Sequence, residues 1–119
     1  DLYSTGLERL ASRTAAARRE EAAVRYGEIT ERAIRQEREA LAANRAKFYE
    51  QAVAIVRTAE AEGLLVGIKS PEDLKQRESS TPRLAAAMQE IARIGDLMEA
   101  TEHEIRTQTF DKWISDLSK

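Results

Sequence analysis

The chain has 119 residues, a formal net charge of −2 and a 42% hydrophobic fraction that includes only one Trp, three Tyr and two Phe. Its length fits one domain, and its richness in Ala, Glu, Arg and Leu is typical of long helices and coiled coils. The absence of cysteine excludes disulfides, thiolate catalysis and cysteine-based metal sites. The balanced charge excludes a global attraction to nucleic acid or to anionic lipid.

No apolar stretch approaches the roughly 18 residues that a membrane-spanning helix needs. The start of the chain also lacks the basic and then apolar pattern of a signal peptide. We therefore expect a soluble chain, whose compartment the sequence does not define. Because the chain begins at Asp1 and not at a methionine, a preceding targeting segment stays an open alternative.

The first predicted element is a long helix over about residues 5–62. It contains no proline and, beyond its first turn, a single interior glycine, Gly27. Thr5 followed by Glu8 is typical of a capping box and predicts the start of the helix, and Gly63 stands where a helix closes in left-handed geometry. At about 1.5 Å per residue, such a helix spans on the order of 85 Å. The rest of the chain must fold back onto it.

Large apolar residues recur as a heptad in the second half of this helix. The companion positions hold Glu37 and Asn44, so the predicted seam is narrow and partly polar, and a strict leucine zipper is excluded. The repeating residues are Ile34, Leu41, Phe48 and Ile55.

A short hydrophobic run follows the long helix and is too apolar for a solvated loop. We expect it to pack as a plug that closes one end of the helical core together with two leucines of the following helices, because its exposure would leave a contiguous apolar patch in water. The run consists of Leu64, Leu65, Val66 and Ile68, and the two leucines are Leu74 and Leu84.

Two proline-containing starts predict the remaining helices. Ser70 as N-cap with Pro71 at the first helical position begins a short helix over about residues 71–78. Thr81-Pro82 repeats the arrangement and begins a returning helix over about residues 82–118, whose apolar residues recur at a spacing of three to four. The sequence therefore predicts a single all-α domain, 1–119: an antiparallel long-helix hairpin, resembling a coiled-coil bundle, with a short connecting helix.

The register of this hairpin predicts an unpaired N-terminal segment. If Leu64 packs near Leu84, the returning helix ends opposite about Ile29, and the segment before it has no partner within the chain. Either the long helix bends at Gly27 and folds back, or the segment packs against another chain. Since symmetric homodimers are the commonest soluble oligomers, we predict a homodimer. Its predicted partner-binding residues are Leu7, Leu10 and Tyr26.

A local run of basic residues supports a different class of function. It lies between Glu8 and Glu20 and could form a phosphate-contacting stripe, which would make the chain a peripheral binder of nucleic acid or of an anionic membrane. No aromatic residue interleaves it, and the alternative interpretation is the solvated flank of a coiled coil. The run consists of Arg9, Arg13, Arg18 and Arg19.

His103 is the only histidine, and Glu99 lies one helical turn before it. One histidine and one carboxylate are too few ligands for a metal, and Ala100 replaces the acid of a Glu-x-x-His motif. No phosphate-binding loop, nucleophile elbow or metal motif is present. We therefore expect no enzyme activity, no cofactor, no metal and no small-molecule substrate.

The final stretch, Thr109 to Lys119, resembles the opening helix of actin-binding calponin-homology domains, in which a Thr-Phe-x-x-Trp pattern is common. The resemblance covers only this stretch, and no actin-binding residue is carried over from it. The alternative interpretation is that Phe110 and Trp113 lock the returning helix onto the long one, with Trp113 against the stems of Arg35 or Arg38.

We conclude that the sequence favours a non-catalytic interaction or assembly module that self-associates and presents a long helix to a protein partner. The basic run keeps open the binding of nucleic acid or an anionic membrane. A third alternative is a ligand-sensing helical bundle of a receptor or a secretion apparatus.

Overall fold

The computed structural model describes residues 1–119 and is all-α. Helix α1 spans Leu2–Ala61, α2 spans Pro71–Ser80 and α3 spans Pro82–Leu117. Helices α1 and α3 pack against each other as a helical hairpin, which confirms the predicted fold class. Contacts group the chain into two units. Unit 1 comprises residues 1–38 and 107–119, and unit 2 comprises residues 39–106.

Helix α1 begins at Leu2 because Asp1 caps it. The Asp1 Oδ1 atom accepts a hydrogen bond from the Tyr3 amide at 3.0 Å, and the Asp1 carbonyl accepts one from the Thr5 amide at 3.0 Å. The Thr5 hydroxyl donates to the same carbonyl at 3.0 Å, as an interior helical threonine does. The predicted capping box at Thr5 is therefore wrong, since an aspartate one turn earlier satisfies the free amides. The helix then continues without interruption through Gly27.

The end of α1 has the geometry that its glycine predicts. Gly63 adopts a φ of 73°, its amide donates to the Glu60 carbonyl, and the Leu64 amide donates to the Ala59 carbonyl, both at 3.0 Å. This pair of bonds is a Schellman motif, which requires a left-handed residue that only glycine adopts without cost.

The hydrophobic run after α1 is only partly covered. Leu64, Leu65 and Ile68 are half-buried, whereas Val66 is 70% exposed. The prediction that Val66 belongs to the core is wrong, because the chain turns again at Gly67, with a φ of 80°. The Arg77 guanidinium on α2 fixes this turn by donating to the carbonyls of Leu64 and Val66.

Helix α2 begins as predicted. Ser70 has an extended backbone and its Oγ accepts the Asp73 amide at 3.2 Å, with Pro71 at the first helical position. The helix extends to Ser80, beyond the predicted end near residue 78, and Thr81 caps it by donating its amide to the Glu78 carbonyl. Leu74 of this helix is half-buried.

The core of unit 2 is narrow and that of unit 1 is narrower. In unit 2, Leu84 is fully buried, and Phe48, Ala59 and Ile94 are nearly so. In unit 1 no side chain is classed as buried, and α3 meets α1 through half-buried residues such as Trp113. Helix pairing in unit 1 therefore rests on partly exposed side chains.

Candidate interaction surface

The end of α3 defines where α1 loses its partner in unit 1. Asp116 and Lys119 share a surface groove with Arg25, Ile29 and other residues of the same stretch of α1. This position agrees with the predicted end of the returning helix opposite Ile29. The part of α1 before Arg25 has no α3 beside it. We call residues 2–24 the N-terminal overhang.

The apolar side chains of the N-terminal overhang lie in solvent. Leu7 is 50% exposed, Leu10 62% and Val24 61%, and Tyr3 near the start of the helix is 74% exposed. Because α1 continues as one helix through Gly27, the overhang does not fold back onto its own chain. Of the two predicted alternatives, the bend at Gly27 is therefore absent from the structure.

One side of the overhang carries most of its large apolar residues, at alternating spacings of four and three. This spacing places residues on a single face of a helix. Sequence analysis identified only part of this face; its missed member Val24 could have been found by continuing the same spacing. We call the face the overhang stripe, and it consists of Tyr3, Leu7, Leu10, Thr14, Ala17, Glu21 and Val24.

Tyr26 does not belong to the overhang stripe. It is 48% exposed, but at about 100° per residue it lies roughly 160° around the helix from Leu10. It points to the same side as Thr30 and Ala33, which line a groove with Trp113 of α3. The structure thus brings Leu7 and Leu10 together on one face and places Tyr26 on the other.

The four arginines of the basic run are all exposed, but they do not form one patch. Arg9 and Arg13 are four residues apart and share a side of the helix. Arg18 and Arg19 lie more than about 100° around the helix from Arg13. A partner that approaches from one side therefore meets Arg9 and Arg13 only.

His103 is exposed on α3. No group of three or more His, Cys, Asp or Glu side chains in the structure is arranged to hold a metal ion.

Sequence analysis did not identify an ion pair in unit 2 between the buried Glu102 and the exposed Arg45. The Arg45 Nε atom donates to Glu102 Oε1 at 2.6 Å, and Arg106 lies 3.9 Å from Glu102 Oε2. Glu102 is 8% exposed and Asn44, beside Arg45 in sequence, is 9% exposed. Glu102 directly precedes His103 in the sequence, and no spacing rule identifies its partner on another helix.

The hydrogen bond from Arg45 holds the pKa of the Glu102 carboxyl below its ordinary value of 4.5, with smaller help from the charge of Arg106 and against the cost of desolvation. The same bond raises the pKa of Arg45. Glu102 therefore stabilises the fold while it is ionised in both states, and this contribution is lost as the pH falls through its folded pKa.

We expect Glu102→Gln to lower the melting temperature at neutral pH, because it removes the negative charge and leaves Arg45 only the weaker, neutral amide oxygen as acceptor. The difference from the unchanged chain should be constant above pH 4.5 and should shrink as the pH falls below that value. Thermal unfolding followed by circular dichroism across this range measures it. Glu104→Gln, an exposed neighbour on α3, is the matched control. An equal drop for both variants would contradict a specific role for Glu102.

The aromatic pair of α3 contacts α1 in unit 1. The Trp113 Nε1 atom donates to Thr30 Oγ1 at 3.0 Å, and the Phe110 and Trp113 ring centroids are 5.8 Å apart. Trp113 thus helps to lock α3 onto α1 through Thr30, and its contact with the stems of Arg35 or Arg38 stays a prediction. Thr30 is suited to this contact because a hydroxyl accepts the indole proton, for which an arginine stem offers no acceptor.

No family model, curated protein or solved structure matches this chain. None of its helices contains an apolar stretch long enough to cross a membrane. The geometry defines the chain as a helical hairpin in which the N-terminal overhang of α1 is uncovered. A function is therefore inferred from that geometry.

Proposed function

We propose that this chain is a non-catalytic helical interaction module that presents the N-terminal overhang of α1 to a protein partner and self-associates through it. The exposure of Leu7 and Leu10 on a helix with nothing packed against it carries the proposal. Helices in proteins gain most of their stability from the packing of an apolar face, and a helix without such packing is only marginally stable in water. A partner that covers this face would therefore stabilise the overhang, and coiled-coil pairing is the arrangement that its spacing favours.

The proposal assigns different roles to the predicted contact residues. Leu7 and Leu10 lie within the docking face, and their burial would remove apolar surface from water at about 25 cal/mol per Å². Tyr26 lies on the same side of α1 as Thr30 and is reached only by a partner that also covers that side. A contribution of Tyr26 to binding would therefore distinguish a partner that surrounds the helix from one that covers only the face with Leu7 and Leu10.

The alternative partner is an anionic surface, either nucleic acid or membrane, which Arg9 and Arg13 would contact. Their shared side of the overhang is the observation in its favour. Binding to such a surface weakens steeply as salt rises, because counterions are released. Apolar docking does not weaken in this way, so a salt titration separates the two functions.

Sedimentation equilibrium at micromolar concentrations tests the proposal. We expect the unchanged chain to form a dimer, and we expect Leu7→Gln combined with Leu10→Gln to be monomeric, since glutamine keeps the helix propensity but removes the apolar face. The matched control is Val66→Gln, which changes another exposed apolar residue outside the overhang and should leave the dimer intact. A chain that is monomeric throughout, or a double variant that associates normally, would contradict self-association through the overhang.

A further inference from the structure

Charge is distributed unevenly along the exposed part of α1. Up to residue 19 the helix carries an excess of basic residues, and from residue 20 acidic residues predominate. A second copy aligned in parallel would place like charges beside each other, whereas an antiparallel copy places basic residues beside acidic ones. Up to residue 19 the basic residues Arg9, Arg13, Arg18 and Arg19 outnumber Glu8, and from residue 20 to residue 31 the acidic residues Glu20, Glu21, Glu28 and Glu31 outnumber Arg25.

One antiparallel register pairs the two ends of the overhang stripe. When the two-fold axis passes between Ala15 and Ala16, Leu7 lies opposite the second copy's Val24, and both are exposed apolar side chains. In the same register Leu10 lies opposite the second copy's Glu21. At the centre, Thr14 lies opposite the second copy's Ala17. The Thr14 hydroxyl already donates to the Leu10 carbonyl at 2.9 Å, so its methyl group can pack without leaving a buried donor unpaired.

The same register creates two symmetry-related ion pairs. Arg13 and Glu20 each flank the overhang stripe, on the side where antiparallel helices bring equivalent heptad positions together. Arg13 of one copy then faces Glu20 of the other, twice in each dimer. Both side chains are exposed in the single chain and available for this contact.

Helix α3 does not obstruct this contact. The side of α1 that meets α3 in unit 1 is marked by Thr30, whose hydroxyl accepts from Trp113. At about 100° per residue, Leu10 lies roughly 160° around the helix from Thr30. A second copy can therefore reach the overhang stripe while α3 stays in place.

We infer that the partner of the overhang is a second copy of this chain, bound antiparallel about a two-fold axis between Ala15 and Ala16, with Arg13 and Glu20 selecting this orientation. The inference rests on the proposed self-association. It assigns Leu7, Leu10 and Val24 to the interface and leaves Tyr26 outside it.

Charge reversal tests the ion pairs. Arg13→Glu and Glu20→Arg each replace two attractive contacts with two repulsive ones, and we expect each to weaken the dimer Kd at least about tenfold at low salt. The combined variant restores opposite charges and should return to within about threefold of the unchanged chain. Arg9→Glu makes the same charge change away from the seam and should have an effect smaller than about threefold. A dimer that is insensitive to both single reversals, or equally sensitive to Arg9→Glu, would overturn the register and leave self-association standing.

Disulfide trapping tests the orientation, since the chain has no cysteine of its own. Chains carrying Leu7→Cys and Val24→Cys are mixed and oxidised, and we expect the mixed disulfide to predominate. Predominance of the disulfide between two Leu7→Cys chains would overturn the antiparallel arrangement while supporting self-association. A monomeric mass for the unchanged chain at all concentrations would overturn both proposals.

Discussion

Replacing Phe48 with alanine is expected to lower the free energy of unfolding by about 3–5 kcal/mol. Phe48 is 7% exposed and lines the contact between α1 and α3 in unit 2 with Ile91, Ile94 and Met98. Its removal leaves a cavity that this narrow core has few neighbouring side chains to fill. Urea denaturation at equilibrium measures the change.

Tyr49→Ala is the matched control for Phe48→Ala. Tyr49 is the adjacent aromatic residue on the same helix but is 67% exposed, so its loss should cost little, as for most surface substitutions. Similar losses for the two variants would contradict the helical face that the structure assigns to the core.

Leu84→Ala is expected to lower the free energy of unfolding by about 2–5 kcal/mol. Leu84 is the only large side chain that is fully buried, and it lies near the start of α3. Leu97→Ala removes the same atoms from a position on α3 that is 51% exposed and serves as the control. Leu65→Ala should cost less than Leu84→Ala, since Leu65 is half-buried. A loss below about 0.5 kcal/mol for Leu84→Ala would contradict its place in the core.

The hairpin could be predicted because its signals are local. The Schellman motif at Gly63 follows from the conformational freedom of glycine, and the start of α2 follows from the side chain of Ser70 and the fixed φ of Pro71. The alignment of Leu64 with Leu84 then predicts that the end of α3 lies opposite about Ile29 of α1. These features depend on residues close in sequence or on a simple antiparallel count.

Two kinds of feature could not be predicted: the choice between two possible capping residues, and contacts between residues on different helices. Asp1 and Thr5 both offer a cap, and only the structure shows that the earlier one is used. Glu102 and Arg45 are far apart in sequence, and their approach depends on the rotation of each helix about its axis. The same rotation places Trp113 on Thr30.

The sequence predicted which segment of α1 is unpaired, but not all of the residues that form its apolar face. The count of paired positions identified the unpaired segment with Leu7 and Leu10, which the structure shows exposed. The choice of Tyr26 as a contact residue ignored the helical turn, which at about 100° per residue places Tyr26 roughly 160° around α1 from Leu10. Val24 takes its place on the apolar face.

Hydrogen exchange at several protein concentrations tests most directly the claim that the overhang is a docking surface for a second copy. We expect the amides of Leu7, Leu10 and Thr14 to be protected at high concentration and to exchange rapidly after dilution below the dimer Kd. Amides around Phe48 should stay protected at both concentrations and provide the internal control. Overhang amides whose exchange rates are the same at every concentration, whether uniformly protected or uniformly unprotected, would contradict the claim.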